Sequence, residues 1–157
     1  MQDVNRLKLV LIEQKKGGIR DVLAWQATKG RANNIVEALA FCKKNNLNTD
    51  YAVFVDFSKH SGRERYMIYS FSKHEVVYRC LCASGLNKNA FSNQPGSNLS
   101  SLGKYRITNE IHNMSIGREG LVVDGLGSSN SNARSRKILI HYSMVLNDFP
   151  KRKGNRE

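Results

Sequence analysis

Cys42, Cys80 and Cys82 are the residues whose side chains offer the widest range of chemistry. A thiolate can act as a nucleophile, form a disulfide or bind a metal ion. An odd number of cysteines gives no complete disulfide framework, and Cys80 and Cys82 would lie on the same face of one strand, where neighbours seldom bridge. No second pair of ligands has the spacing of a zinc site, so we expect no metal site. The pattern favours small buried residues.

His141 has the most informative position of the four histidines because it follows the apolar residues 138–140. Imidazole can accept a proton near neutral pH, although a histidine at the end of an apolar strand is more often a hydrogen-bonded structural residue. The other three lie in predicted turns or in segments without a clear pattern, where we expect exposed rings: His60, His74 and His112.

Arg134 and Arg136 stand two residues apart, so on an extended segment their side chains would share one face. A guanidinium group pairs with a carboxylate through two parallel hydrogen bonds. The two arginines could therefore hold a carboxylate of a ligand, or they could be a solvated pair of charges. Asp124, next to Gly125 in a predicted turn, could also pair with an arginine.

The chain of 157 residues is long enough for one domain with a substantial core. Its formal net charge of +12 favours an anionic partner, such as nucleic acid, anionic lipid or an acidic polymer, or reflects only a basic solvated surface. No apolar run approaches the roughly 18 residues of a membrane span. Residues 7–12 form the longest candidate, but Lys8 interrupts them and they are too short for a secretory signal peptide.

One helix is predicted upstream of these residues. Asn33 or Asn34 can cap it, with Glu37 in capping-box position, and an apolar stripe allows it to pack against a sheet. The stripe consists of Ile35, Ala38, Leu39 and Cys42. Before the helix, residues 6–13 alternate like a strand and residues 19–26 have the spacing of a short helix.

Short apolar runs predict the strands of an antiparallel meander at residues 51–57, 66–71 and 76–82. Further strands are expected near residues 104–108, 121–123 and 137–142. We therefore expect a mainly β (α+β) fold, an antiparallel β-sheet or sandwich with one N-terminal packing helix.

A long polar loop opens at Phe91 and precedes the strand near residues 104–108. Pro95 and Gly96 fit a type II turn within it, and its serines and asparagines can hydrogen-bond nearby backbone. A loop of this length in a compact domain is usually either functional or disordered.

Three blocks of the sequence resemble the murein L,D-transpeptidase catalytic-domain-like family, a YkuD-type group of bacterial cell-wall enzymes. The most specific is residues 91–105, FSNQPGSNLSSLGKY. Residues 124–126 (DGL) with residues 132–141 (NARSRKILIH) resemble the family's next segment, and residues 48–65 resemble its first. The resemblance implies that family's fold.

The resemblance also divides the chain. Residues 32–149 correspond to the catalytic domain, which we expect to be C-terminally incomplete. Residues 1–31 form an unassigned N-terminal extension, and residues 150–157 form a charged tail that we expect to fray.

The reaction that the resemblance implies is acyl transfer between peptidoglycan stem peptides. A cysteine thiolate attacks a peptide bond, forms a thioester and passes the acyl group to an amine of a second stem, while a histidine accepts the thiol proton. His141 matches that histidine and is the candidate general base. The expected substrate-binding residues are Ser84, Gly85, Ser100, Ser101, Arg134 and Arg136. We expect no cofactor.

The nucleophilic cysteine that the family carries beyond its histidine is absent, since no cysteine follows His141. Ser84 stands where the family tends to have a histidine, and Tyr142 where it often has glycine. We therefore expect a truncated or frame-shifted product without transpeptidase activity. Cys82 could substitute for the nucleophile if it faced the cleft within reach of His141.

Two other functions are alternatives. A non-catalytic module that keeps the cleft could bind peptidoglycan peptides without turnover. A basic nucleic-acid-binding domain would need aromatic and basic residues interleaved on one face, and Tyr66, Tyr69, Tyr78 and Arg79 give a weak version of that pattern. An exposed strand edge would favour self-association. The family functions outside the cytoplasmic membrane, in the periplasm for example, whereas no export signal is visible here.

Overall fold

The computed structural model describes residues 19–28, 34–113 and 119–141. These residues form seven strands, one α-helix and two short 3₁₀ turns, Gly85–Asn87 and Ser128–Asn130. In chain order the longer elements are β1 (Val22–Ala27), α1 (Ile35–Lys44), β2 (Tyr51–Asp56), β3 (Tyr66–Ser70), β4 (Glu75–Cys80), β5 (Gly103–Asn113), β6 (Glu119–Gly125) and β7 (Leu139–Ile140).

All seven strands belong to one sheet in the order β4-β3-β2-β1-β5-β6-β7. β1 and β2 run parallel, and every other neighbouring pair is antiparallel. The parallel pair is possible because α1 connects β1 to β2 as a crossover. The expectation of a mainly β (α+β) fold is confirmed, but the sheet is mixed and not wholly antiparallel.

The first strand corrects the interpretation of residues 19–26 as a short helix. Val22–Ala27 is a strand in the middle of the sheet, and five of its six residues are buried. A strand covered on both faces is a continuous apolar run, which also satisfies the spacing of a helical stripe. The sheet therefore begins upstream of residue 32, and α1 follows the first strand. The strand expected at residues 6–13 and the tail at residues 150–157 lie outside the described residues.

α1 covers one face of the sheet. The Asn34 side chain caps it by accepting a hydrogen bond from the Glu37 N–H at 3.0 Å, as one of the two predicted caps. Ala38 and Cys42 are fully buried in a core that also contains Leu23 and Phe54 of β1 and β2. The helix therefore closes this face with regular apolar packing.

The opposite face of the sheet is covered by irregular chain. Its buried core includes Ala24, Val53 and Tyr105, and Phe91 and Ile138 from two loops pack against it. We call residues 91–101 the polar loop and residues 126–138 the connecting segment. Together they cover this face of the sheet.

Asn130 attaches the connecting segment to the sheet. Its side chain is fully buried; its Oδ1 accepts a hydrogen bond from Gly127 N–H at 3.0 Å, and its Nδ2 donates to the Lys104 carbonyl of β5 at 2.8 Å. Gly125 at the end of β6 lies directly under the Asn130 backbone. The segment therefore has a defined position on β5 and β6.

The polar loop is held by two side chains. Asn93 accepts two hydrogen bonds from Asn132, at its Oδ1 from the Asn132 N–H and at its carbonyl from the Asn132 Nδ2, each at 3.0 Å. Arg136 donates to the Ser92 carbonyl at 2.7 Å, to Ser97 Oγ at 3.1 Å and to the Leu99 carbonyl at 2.5 Å. Both anchors involve the connecting segment, so the two irregular stretches form one unit.

The turn predicted inside the polar loop is present. Gly96 has φ +82°, the left-handed value that position i+2 of a type II turn requires. The Ser97 N–H donates to the Gln94 carbonyl at 3.3 Å and closes the turn around Pro95 and Gly96.

Gly125→Ala should destabilise the domain. An added Cβ would overlap the Asn130 carbonyl oxygen and lie 2.6 Å from its carbonyl carbon, and both are backbone atoms. We expect the free energy of unfolding to fall by about 3 kcal/mol, which lowers the Tm by roughly 6–12 °C at this size. Gly127→Ala is the matched control, since its Cβ would meet nothing nearer than 3.9 Å. Equal melting temperatures for the two variants by circular dichroism would contradict the packing argument.

Arg136→Lys should loosen the polar loop, because an ammonium group cannot reach three separate acceptors at once. Amide hydrogen exchange at Ser92 and Ser97, whose N–H groups bond within the loop, should accelerate about tenfold while exchange in β2 stays unchanged. Arg134→Lys is the control because Arg134 does not contact the loop. Unchanged exchange in Arg136→Lys would show that the loop is held by other contacts.

Candidate functional site

A cavity of about 710 Å³ lies on the sheet face opposite α1. Its floor includes Ala24 and Val53 of the central strands, and its walls come from residues 80–85, the polar loop and residues 135–141. The predicted site residues that line it are His141, Ser84, Gly85, Ser100, Ser101 and Arg136. Arg134 does not line the cavity.

His141 directly follows β7, the strand that pairs with β6 at the sheet edge. It is half-buried and lines the same cavity as Cys80 and Cys82. The sheet therefore brings an imidazole and two thiols to one cavity from strands that are distant in sequence.

Cys82 is the thiol that the sequence singled out as a substitute nucleophile. The predicted strand at residues 76–82 included Cys82, but β4 ends at Cys80, so Cys82 lies just beyond the strand. Its Sγ donates to the Ala83 carbonyl at 3.5 Å. Burial raises the pKa of the Cys82 thiol to about 11, an effect that Arg65 only partly opposes. The thiol is therefore in its neutral form at pH 7, which is the unreactive form.

Cys42 lies on the face of the sheet opposite to the cavity. It is fully buried beneath α1, and burial raises its pKa to about 11. The prediction that it is a small buried core residue is confirmed.

Ser84, Gly85 and Ser100 form a polar corner of the cavity. The Gly85 N–H donates to Ser100 Oγ at 2.9 Å, and Ser84 Oγ donates to the Lys88 carbonyl at 2.8 Å. A Cβ on Gly85 would overlap the Asn98 carbonyl oxygen and lie 2.7 Å from Ser100 N. Glycine is therefore required for the close approach between this corner and the polar loop.

Ser101 lies deeper in the cavity wall. Its hydroxyl is 2.6 Å from the Tyr105 hydroxyl, and both residues are buried. Burial raises the pKa of Tyr105, and the hydrogen bond to Ser101 opposes that shift. Ser101 therefore fixes a buried phenol, and Ser100 is the more accessible of the two predicted serines.

The two arginines do not share a face, which corrects the expectation of an extended segment. Residues 131–137 form consecutive turns, and the Arg136 N–H bonds back to the Asn132 carbonyl at 2.8 Å. Arg136 turns to the polar loop, whereas Arg134 pairs with Asp124 at 2.6 Å and Glu110 at 2.6 Å. The hydrogen bonds from Arg134 hold the pKa of Asp124 below its ordinary value. The suggested pairing of Asp124 with an arginine is confirmed.

The basic residues that line the cavity are Arg136, Lys137 and His141, and no Asp or Glu belongs to the described residues that line it. The cavity is therefore suited to a ligand that carries negative charge. Among residues 19–28, 34–113 and 119–141 no group of three or more His, Cys, Asp or Glu side chains could hold a metal ion.

The sequence did not indicate that Arg65 and Asn130 are buried or that Lys137 lines the cavity. Arg65 is buried and donates from Nε to the Cys82 carbonyl at 2.8 Å. This bond positions the residues that directly follow β4. Asn130 belongs to a Ser/Asn-rich stretch that is typical of a surface loop. No local pattern distinguishes a buried anchoring side chain of this kind from a solvated one.

The aromatic residues proposed for nucleic-acid binding are not arranged for it. Tyr66 and Tyr78 are buried in the core under the cavity, and Tyr69 packs edge-on against Phe54 and Phe71. Rings in these positions cannot stack on bases. In the described part of the chain, no helix has the length and apolar character needed to cross a membrane.

A family model described as the L,D-transpeptidase catalytic domain matches residues 26–156. No curated protein and no solved structure matches the chain. The matched residues include every segment that builds the cavity walls, from residues 80–85 to residues 135–141. Since the match spans most of the sequence, this chain belongs to the L,D-transpeptidase catalytic domain family.

Proposed function

We propose that the cavity is a cleft for peptidoglycan stem peptides and that residues 1–157 bind such peptides without transferring their acyl groups. The observation that carries the proposal is that one cavity collects the segments with which the chain resembles the family. Residues 98–101 and 135–141, from two of these segments, and Val53, Val55 and Phe57, from the third, all line it. Its size also fits a short peptide, since ligand pockets typically range over about 300–1,000 Å³.

His141 is the group that would accept a proton if a nucleophilic thiol were present in the cavity. It lines the cavity at the end of β7, where a thiol placed in the cavity could meet it. Ser84, Gly85 and Ser100, which form the polar corner of the cavity, would contact the peptide. Arg136 would act by holding the polar loop, and a direct role of Arg134 in binding stays a prediction.

Two of the three cysteines are poorly suited to acyl transfer. Cys42 is buried beneath α1, and the pKa of Cys82 is raised to about 11. At pH 7 a thiol of that pKa is ionised in about one molecule in 10⁴. Cys80 ends β4 and lines the cavity, so in this scheme any residual activity would come from Cys80.

Self-association of the chain through a strand edge remains a prediction. Within the described residues β4 and β7 are the edge strands of the sheet, and an unpaired strand edge can pair with a second copy. A concentration-dependent sedimentation coefficient would reveal such pairing.

Stem-peptide binding should be detectable by isothermal titration calorimetry with a soluble disaccharide-tetrapeptide. Ala83→Trp places a bulky ring at an exposed position of the cavity lining and should weaken binding at least tenfold. Val36→Trp adds the same ring on α1, where Val36 is 81% exposed, and should leave binding unchanged. Mass spectrometry of the mixture should show neither loss of D-alanine nor a cross-linked dimer. Binding that Ala83→Trp does not affect would overturn the cleft assignment, and a cross-linked product would overturn the proposed inactivity.

Alkylation of Cys82 tests the state of its thiol. In a Cys80→Ser background, the rate with iodoacetamide should rise about tenfold per pH unit from pH 7 and level off only near pH 11, because burial favours the protonated thiol. Peptide mapping separates Cys82 from Cys42, and circular dichroism at each pH shows that the domain is folded. The urea-unfolded chain is the control and should level off near the ordinary thiol value. A plateau below that value in the folded protein would mark Cys82 as an activated nucleophile.

A further inference from the structure

Lys137 differs from Arg134 and Arg136 because, within the described residues, its side chain has no bonding partner. Arg136 is bound to the polar loop, and Arg134 is paired with Asp124 and Glu110. Lys137 is exposed and lines the cavity. Its side chain makes no hydrogen bond or ion pair with any residue in the described part of the chain.

The backbone of Lys137 has a conformation that is less favourable for lysine than for glycine. Its φ is +59°, in the left-handed region where glycine is the usual residue. The Lys137 N–H donates to the Arg134 carbonyl and the Ile138 N–H donates to the Ala133 carbonyl, each at 3.0 Å. These two bonds are the pair of a Schellman motif, with Lys137 at the position that most often carries glycine.

The fold itself therefore does not require a side chain at residue 137. Glycine would satisfy the same two hydrogen bonds without strain, whereas lysine costs stability, and within the described residues its ammonium group gains no hydrogen bond or ion pair in return. A strained residue that lines a cavity is a recognised sign of a functional position. This cost in stability supports a ligand as the partner of the Lys137 ammonium group.

We propose that Lys137 is an anion-binding residue of this cavity and takes a free carboxylate of a bound peptide. The peptide part of this assignment rests on the proposed function, and the carboxylate part rests on the charges of the cavity. No carboxylate of the described residues lines the cavity to neutralise Lys137. A carboxylate is also the anion that a peptide carries at its C-terminus and on acidic side chains.

The test compares a charge deletion at residue 137 with the same deletion elsewhere. Lys137→Asn removes the ammonium and keeps a residue that tolerates the left-handed conformation. Lys73→Asn, in the turn between β3 and β4, removes one exposed lysine that does not line the cavity. Lys137→Arg keeps the charge. Circular dichroism melts of all three variants establish that they are folded.

The ligands are a stem tetrapeptide with free carboxylates, its fully amidated form, and an unrelated acetylated tetrapeptide in acid and amide forms. Calorimetry on the wild-type chain should show that the free stem peptide binds about fivefold more tightly than the amidated one, the upper range for an exposed ion pair. Lys137→Asn should abolish that difference, whereas Lys73→Asn and Lys137→Arg should retain it. The difference should also shrink at high salt.

The outcomes separate this inference from the function on which it rests. Stem peptides that bind equally well in acid and amide forms would overturn the role of Lys137 and leave the peptide cleft intact. If no stem peptide binds, but the unrelated acid binds more tightly than its amide in a Lys137-dependent way, the anion site stands and the peptidoglycan assignment fails. Absence of binding by all four peptides would overturn both.

Discussion

The cavity depends on the hydrogen bonds of one buried side chain, that of Asn130. Its amide joins Gly127 to the Lys104 carbonyl of β5, and a buried amide that lost either partner would be strongly destabilising. The connecting segment therefore has one favourable position on the sheet. That position determines where Arg136 reaches the polar loop and where the chain re-enters the sheet before His141.

The two faces of the sheet are covered by different kinds of contact. Apolar packing of α1 closes one face, with Ala38 and Cys42 fully buried against the strands. The other face is closed by irregular chain whose placement relies on hydrogen bonds between side chains and backbone. Such contacts fix geometry without filling space, so a cavity remains over Ala24 and Val53. Binding sites commonly lie on loops that a rigid scaffold positions in this way.

The sequence predicted those features that depend on local pattern. The strands β2, β3 and β4 and the cap of α1 follow from apolar periodicity and one polar side chain. β1 was misinterpreted because a continuous buried run, VLAWQA, fits a strand and a helical stripe equally well. The opposite directions of Arg134 and Arg136 follow from the consecutive turns at residues 131–137, a segment that long-range hydrogen bonds such as those of Asn130 hold in place. Long-range hydrogen bonds of this kind leave no periodic signal, and the engaged partners of Arg136 lie some forty residues upstream.

The electrostatics of the cavity favour an anion that comes from a ligand over a thiolate within the wall. Ionisation of Cys82 would need a positive group close to its sulfur to offset burial. Arg65, the nearby cation, directs its Nε to the Cys82 carbonyl, and its effect on the thiol is smaller than that of burial. Lys137 places a positive charge in another wall of the cavity, where solvent can reach it. The cavity therefore carries its accessible positive charge on a different wall from the neutral Cys82 thiol, an arrangement that suits an anionic ligand better than a thiolate.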